Sequence, residues 1–232
     1  MTEQRNRELA VRMAELARVS AAPRSVNDVL SDVTTAAKDL IPGTESAGIL
    51  MVAKGGKFES LAGTDDLPHQ LDELQIKFSE GPCMQAALDE TIVRTDDFRS
   101  EDRWPLYSPA VVEIGVLSGL SLKLYTANRT AGALNLFAFR PNAFDPVDET
   151  IGTVLAAHAA AAILASREGE ELQSALSTRD RIGQAKGIIM ERFGIDDIRA
   201  FEMLRRLSQD SNTRLVDIAQ RVIDTRGDSA DN

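Results

Sequence analysis

Ser177-Thr178-Arg179-Asp180-Arg181-Ile182-Gly183-Gln184-Ala185-Lys186-Gly187-Ile188-Ile189-Met190 opens the stretch whose reading decides the fold, which runs from Leu172 to Ile223. Leu172, Leu176, Ile182, Ile189 and Phe193 recur at roughly helical spacing. Gly194 supplies a stop, because glycine accepts the left-handed conformation that ends helices. Asp196 or Asp197 then caps a second helix carrying Ile198, Phe201, Leu204 and Leu207. Beyond the polar turn Asp210-Ser211-Asn212, a third run carries Leu215, Ile218, Ala219 and Val222. Three short helices with one apolar stripe each must bury those stripes together, which predicts a small three-helix bundle.

Polar residues break into this pattern. Gln184, Lys186 and Gly187 interrupt the most apolar part of the first helix. A glycine inside a helix costs about 1 kcal/mol relative to alanine. Two readings of Gly187 are open: it admits a ligand close to the helix, or it lets a neighbouring helix pack tightly. From Gln173 to Arg226 there are ten cations and eight anions, a balance of +2 in a chain whose formal charge is −10. The rest therefore carries −12. A weakly basic tip on an acidic body suits selective contacts rather than electrostatic coating, although scattered charge is also what a solvated helix surface shows.

At these residues the chain resembles the ANTAR family of RNA-binding transcription antiterminators. The resemblance is carried by Arg179-x-x-Ile182-x-Gln184-Ala185-Lys186-Gly187-Ile188, by Ala200-Phe201-x-x-Leu204-Arg205 and by Asn212-x-Arg214-Leu215-x-x-x-Ala219. The family often has lysine where Arg214 stands; the cation is kept. The resemblance implies recognition of a tandem stem-loop element in a nascent mRNA, which would prevent a competing terminator hairpin. Gln184 and Asn212 can hydrogen-bond base edges, and Lys186, Arg205 and Arg214 can neutralise phosphate or bond a base. Gly187 would let RNA approach the helix, and Arg179 would contact RNA or brace the connector. Sequence-specific RNA recognition usually targets unpaired loop bases. Two other readings remain: a DNA-binding regulator with one helix in the major groove, and a sensor or scaffold acting through a protein partner.

The 232 residues allow one large or two small domains, and 43% hydrophobic residues is ordinary for a globular chain. The charged N-terminus does not look like a signal peptide. The longest apolar run, Leu155 to Ala165, is expected to be too short to cross a bilayer, so a cytoplasmic protein is the simplest reading. Cys83 is the single cysteine, which excludes an intrachain disulfide. It reads as a buried structural thiol, with an exposed redox sensor as the alternative. His69 and His158 lack metal-binding spacing, and no nucleophile–base pair or phosphate-binding glycine loop is visible. The pairs Asp65-Asp66, Asp96-Asp97 and Glu101-Asp102 read as solvent-facing loop carboxylates. No enzyme, metal or cofactor is expected.

Residues 2–20 have helical spacing, and Ser25 or Asn27 caps a helix that Ile41-Pro42-Gly43 ends. Strand-like runs follow at residues 46–53, 57–62, 91–94, 118–125 and 131–139, with turns at Lys54-Gly55-Gly56-Lys57 and Thr126-Ala127-Asn128-Arg129. Helices are predicted over 67–75, 83–87 and 108–114. Together these imply an α+β domain with a mostly antiparallel sheet. Residues 25–164 resemble the GAF sensory fold, through Glu80-Gly81-Pro82-Cys83 before a short helix, Gly132-Ala133-Leu134-Asn135-Leu136-Phe137 as a late central strand, and Asp145-Pro146 opening the closing helix. Sheets of that family often cup a small ligand, yet many members bind none, so an unknown small ligand stays open.

From Ile151 a seam runs through Leu155, His158, Ala162, Ala165, Gly169, Leu172 and Leu176, with a mean period of about 3.5 that suits a helix pairing with a second copy in a coiled coil. A helical connector and a homodimer are expected, with Gly169 as a bend between domains. The divisions are 1–22 (N-terminal helix), 23–165 (GAF-like sensory and dimerisation domain), 166–226 (ANTAR-like RNA-binding three-helix domain) and 227–232 (disordered tail).

Overall fold

The computed structural model describes residues 7, 9–15, 25–52, 57–88, 91–126 and 129–227. The chain divides into two compact units, residues 1–166 and 167–232.

The first unit opens with helical residues 9–15, where Leu9 and Met13 pack against the core. Helix α1 (Val26–Leu40) starts at Ser25, whose hydroxyl accepts from the Asp28 amide while Asp28 accepts from the Ser25 amide. This reciprocal cap satisfies two amides that a helix start otherwise leaves open. Then come β1 (Ser46–Val52), β2 (Phe58–Leu61), α2 (Leu67–Phe78), α3 (Pro82–Leu88), β3 (Ile92–Thr95), α4 (Tyr107–Ile114), β4 (Ser118–Thr126) and β5 (Arg129–Ala138). The five strands form one antiparallel sheet in the order β2-β1-β5-β4-β3. The expected N-terminal helix beyond these residues, both turn centres (54–56 and 127–128) and residues 228–232 of the tail lie outside the described residues.

Strand alternation builds two cores. On β5, Leu134 and Leu136 face one layer with Leu30 and Val33 of α1, while Ala133 and Phe137 face the other with Leu71, Cys83 and Tyr107. The first layer is closed by α5 (Pro146–Phe193), a helix of 48 residues. Asp145 accepts from the Val147 and Asp148 amides at its start. Residues 146–166 of α5 are long and apolar enough to cross a membrane, which corrects the expectation drawn from the shorter run. Their apolar side chains are committed elsewhere: Ile151, Leu155, Ala156, Ala159, Ala160 and Ile163 are buried in the domain core. Burial there also takes Ile151 and Leu155 out of the proposed seam.

The second unit contains the end of α5, then α6 (Asp197–Asp210) and α7 (Leu215–Gly227). The first member of the expected trio is thus not a short helix but the last part of α5, which stays helical through Gly169 as expected of a helical connector. Gly194 ends it with φ +64°, its amide bonding the Met190 carbonyl at 2.9 Å. Asp196 caps α6 by accepting from the Arg199 amide at 2.9 Å. The bundle core is Ala185, Ile189, Ala200, Leu204, Ile218 and Ala219. Leu172, Leu176, Phe193, Ile198, Phe201 and Leu207, expected on buried stripes, are exposed. Ile189, Leu204, Ile218 and Ala219 of the same expected stripes are in the core, joined there by Ala185 and Ala200.

Candidate functional site

In the second unit, burial sorts the turns of α5. Ala185 and Ile189 face the bundle, and Arg179, Gly183, Gln184 and Gly187 are exposed. At about 100° per residue, the row Arg179–Gly183–Gly187 runs along the middle of that exposed arc. Lys186 lies at one edge and Gln184 at the other, since two positions along a helix are about 200° apart. A groove of about 790 Å³ is lined by Leu176, Ser177, Arg179, Asp180, Gly183 and Gln184. A Cβ built at Gly187 or Gly183 meets nothing within 4 Å. Tight packing within this chain therefore does not explain Gly187, and the glycines leave a strip of bare helix backbone.

Lys186 is half-buried and its Nζ lies 2.5 Å from Asp197 Oδ1, at the first residue of α6. Asp197 is 63% exposed at the side chain, so the pair contributes at most about 1 kcal/mol. Arg205 lies eight residues beyond Asp197, two turns along the same side of α6. It is exposed and makes no hydrogen bond or ion pair to another described residue. Arg214 is bound within its own helix start: its Nε lies 2.9 Å from Asp217, which holds the guanidinium above its ordinary pKa. Asn212 is exposed in the turn between α6 and α7 with φ +48°, a left-handed conformation. Asparagine tolerates that region better than most residues, which the sequence reading, looking only at its amide, did not see. The predicted set thus falls into two groups. Arg179, Gln184, Gly187, Lys186 and Arg205 occupy the α5 arc and the α6 row that Lys186 joins to it. Asn212 and Arg214 stand at the α6–α7 turn.

In the first unit, Asp72 and Gln75 of α2, Cys83 of α3, Tyr107 of α4, Ser121 of β4 and Asn135 of β5 are all buried on one side of the sheet. Gln75 accepts from the Cys83 amide at 2.9 Å, and Ser121 donates to Asn135 Oδ1 at 2.8 Å. Among the described residues Asp72 Oδ2 and the Tyr107 hydroxyl have no hydrogen-bond partner, and the Asn135 amide faces the Cys83 thiol. Burial pushes the Asp72 carboxyl up to about 7, opposed by a hydrogen bond with Ser60, the field of His69 and a hydrogen bond with Gln75. Burial, then the neighbouring Asp72, pushes the Cys83 thiol well up, so it is a buried structural thiol and not an exposed thiolate. His158 is half-buried and its pKa is lowered by that burial. Several loop carboxylates cap or clamp backbone instead of merely facing solvent: Asp65 accepts from Ser46 and the Leu67 amide, and Asp97 from the Arg99 amide. Position-by-position reading missed the polar cluster, whose members are scattered over 64 residues of sequence. The available signal was Asp72 and Gln75 at one-turn spacing beside Leu71.

Comparison with known proteins joins these observations. The GAF domain family model matches residues 23–164 and the ANTAR domain model matches residues 170–223. This chain belongs to the GAF–ANTAR regulators. It pairs a sensory-type domain with an RNA-binding domain of antiterminator type. The GAF domain of a phosphoenolpyruvate-protein phosphotransferase from Coxiella burnetii superposes with TM-score 0.59 at 17% identity, covering 70% of this chain and 96% of that one. A domain of a two-component sensor histidine kinase protein from Sinorhizobium meliloti gives 0.54 at 14% identity, covering 65% and 99%. A free methionine-R-sulfoxide reductase from Neisseria meningitidis gives 0.51 at 16% identity, covering 70% and 93%. At these identities the likeness is one of fold. No curated protein matches the sequence.

Two outcomes test this geometry. Asn212→Gly keeps the left-handed turn and should leave the thermal midpoint nearly unchanged, whereas Asn212→Val should cost about 1–2 kcal/mol by denaturant unfolding. For Asp72, the unfolded carboxyl titrates near 3.8 and the folded one near 7. The folded state therefore holds a proton more tightly, and the stability this gives is complete below pH 4 and lost as pH rises to about 7. Over that range the difference in unfolding free energy between parent and Asp72→Asn should change by up to about 4 kcal/mol and stay flat above it; a flat difference throughout would show Asp72 ionised when folded.

Proposed function

We propose that this GAF–ANTAR protein is an RNA-binding transcription antiterminator that holds a tandem stem-loop element of a nascent mRNA and so prevents a terminator from forming. The observation that carries the reading is the basic edge of the ANTAR unit, where Lys186 and the unpaired Arg205 flank one side of α6 beside the bare strip at Gly183 and Gly187. The Lys186–Asp197 pair is weak enough to be exchanged for a phosphate contact, and Asp197 keeps the favourable field of the α6 N-terminus. The glycine strip lets an RNA backbone or base approach the helix. Gln184 and Asn212 supply amides for base edges, Arg214 a second-line cation, and Arg179 a contact at the groove. A small ligand of the GAF domain would regulate binding only by preferring one of two states of the protein.

We further infer that the protein is a cytoplasmic homodimer, with residues 166–226 as the RNA-binding part and 23–165 as the sensory and dimerisation platform. Exposed Leu172 and Leu176, one turn apart on α5, favour pairing with a second copy. Two RNA-binding units in one particle would grip two loops with raised effective concentration.

Binding of a tandem-hairpin RNA by the purified chain tests the first reading. Lys186→Ala and Arg205→Ala should each weaken it about tenfold or more. Equal affinity for duplex DNA would favour a DNA regulator, and indifference to both nucleic acids a protein partner. Sedimentation equilibrium tests the second: Leu172→Glu with Leu176→Glu should halve the mass, and an unchanged dimer would place the contact elsewhere.

A further inference from the structure

We propose that Phe201 is a stacking platform for an unpaired RNA base, set between two phosphate-binding cations. This rests on the RNA-binding reading above and adds to it the residue that receives a base. Residues 167–232 contain two aromatic side chains, Phe193 and Phe201, and both are exposed. The bundle closes its core with alanine, leucine and isoleucine, so it does not need Phe201 inside. A ring left 39% accessible forgoes part of the stabilisation that full burial would give, and on a charged surface it is available to a partner.

Its position points to the occupant. Asp197, Phe201 and Arg205 are spaced four apart on α6 and form one row about 12 Å long. Lys186 of α5 is brought to the head of that row through Asp197, and Arg205 stands at its foot. Ile198, 71% exposed, lies beside them on the same flank. An aromatic face with a cation on either side matches an unpaired nucleotide, whose base has a π-face and whose flanking phosphates are anionic. Met203 and Leu207 lie on the opposite flank of α6, so the apolar surface suited to a protein contact is separate from this row.

The probe is a hairpin RNA selected by the full-length protein from a pool with randomised loops. Phe201→Ala and Phe201→Leu should each bind it about 5- to 100-fold more weakly, and Phe201→Tyr within about threefold of the parent. The dependence of log affinity on log salt should stay unchanged in Phe201→Ala but flatten by about 0.7 in Arg205→Ala. Phe201→Trp should lose fluorescence on binding. Thermal midpoints of Phe201→Leu and the parent should agree. If the parent selects no hairpin, the RNA-binding reading itself fails. If it does, but Phe201→Leu binds as tightly as the parent, stacking is overturned. Reduced self-association of Phe201→Ala with unchanged RNA affinity would assign the face to a second copy and equally overturn it.

Discussion

Three alanines govern the C-terminal unit. Ala185, Ala200 and Ala219 contribute one fully buried side chain from each of its helices. Small side chains at a crossing let helix axes approach toward the short end of the usual range, about 8 Å. The Lys186–Asp197 pair joins α5 to α6 beside this core and so sets a cation of one helix at the head of a row on the other. Ile189, Leu204 and Ile218 fill the rest of that core, and Phe201 and Ile198 fall outside the arc of α6 that faces it. The outward surface of the bundle follows from which arc of each helix is turned inward.

The N-terminal unit solves a different problem. Its sheet separates two cores, one almost wholly apolar and one that includes Asp72, Gln75, Tyr107 and Asn135. A neutral carboxyl is the form of Asp72 that such a place tolerates, since burying an ionised group with an unpartnered oxygen costs several kcal/mol. The Tyr107 hydroxyl, without a partner among the described residues, and the Asn135 amide lie in the same layer, so polar capacity is concentrated on the side carrying α2, α3 and α4.

Much of both units was legible in the residue order because the signals are local. The Ser25 cap, the Gly194 stop, the Asp196 cap and the alternation along β4 and β5 depend on neighbours within a few positions. The Glu80-Gly81-Pro82-Cys83 and Gln184-Ala185-Lys186-Gly187 motifs carried the family resemblance in the same way. Less legible were the exposed leucines and phenylalanines. Helical spacing shows which residues share a face, but a leucine scores as core whether or not another helix meets it. Ile189, Leu204, Ile218 and Ala219 stood on the predicted stripes and are buried, whereas Ala185 and Ala200, whose apolar signal is weak, were not placed there. Gly187 had two open readings until the space around it could be seen, and Asn212 was read for its amide although its backbone conformation also selects it.

The residue order alone determined the family, the order of helices and strands, the basic excess of the C-terminal end and the identities of the candidate contacts. Tertiary structure decided which of them share a surface: Lys186 with Arg205 through Asp197, Gln184 at the other edge of the glycine strip, and Asn212 in the turn beyond. Angular position on one helix follows from counting residues. Which angle faces the interior depends on side-chain volumes contributed by helices distant in sequence, and only their packing sets that.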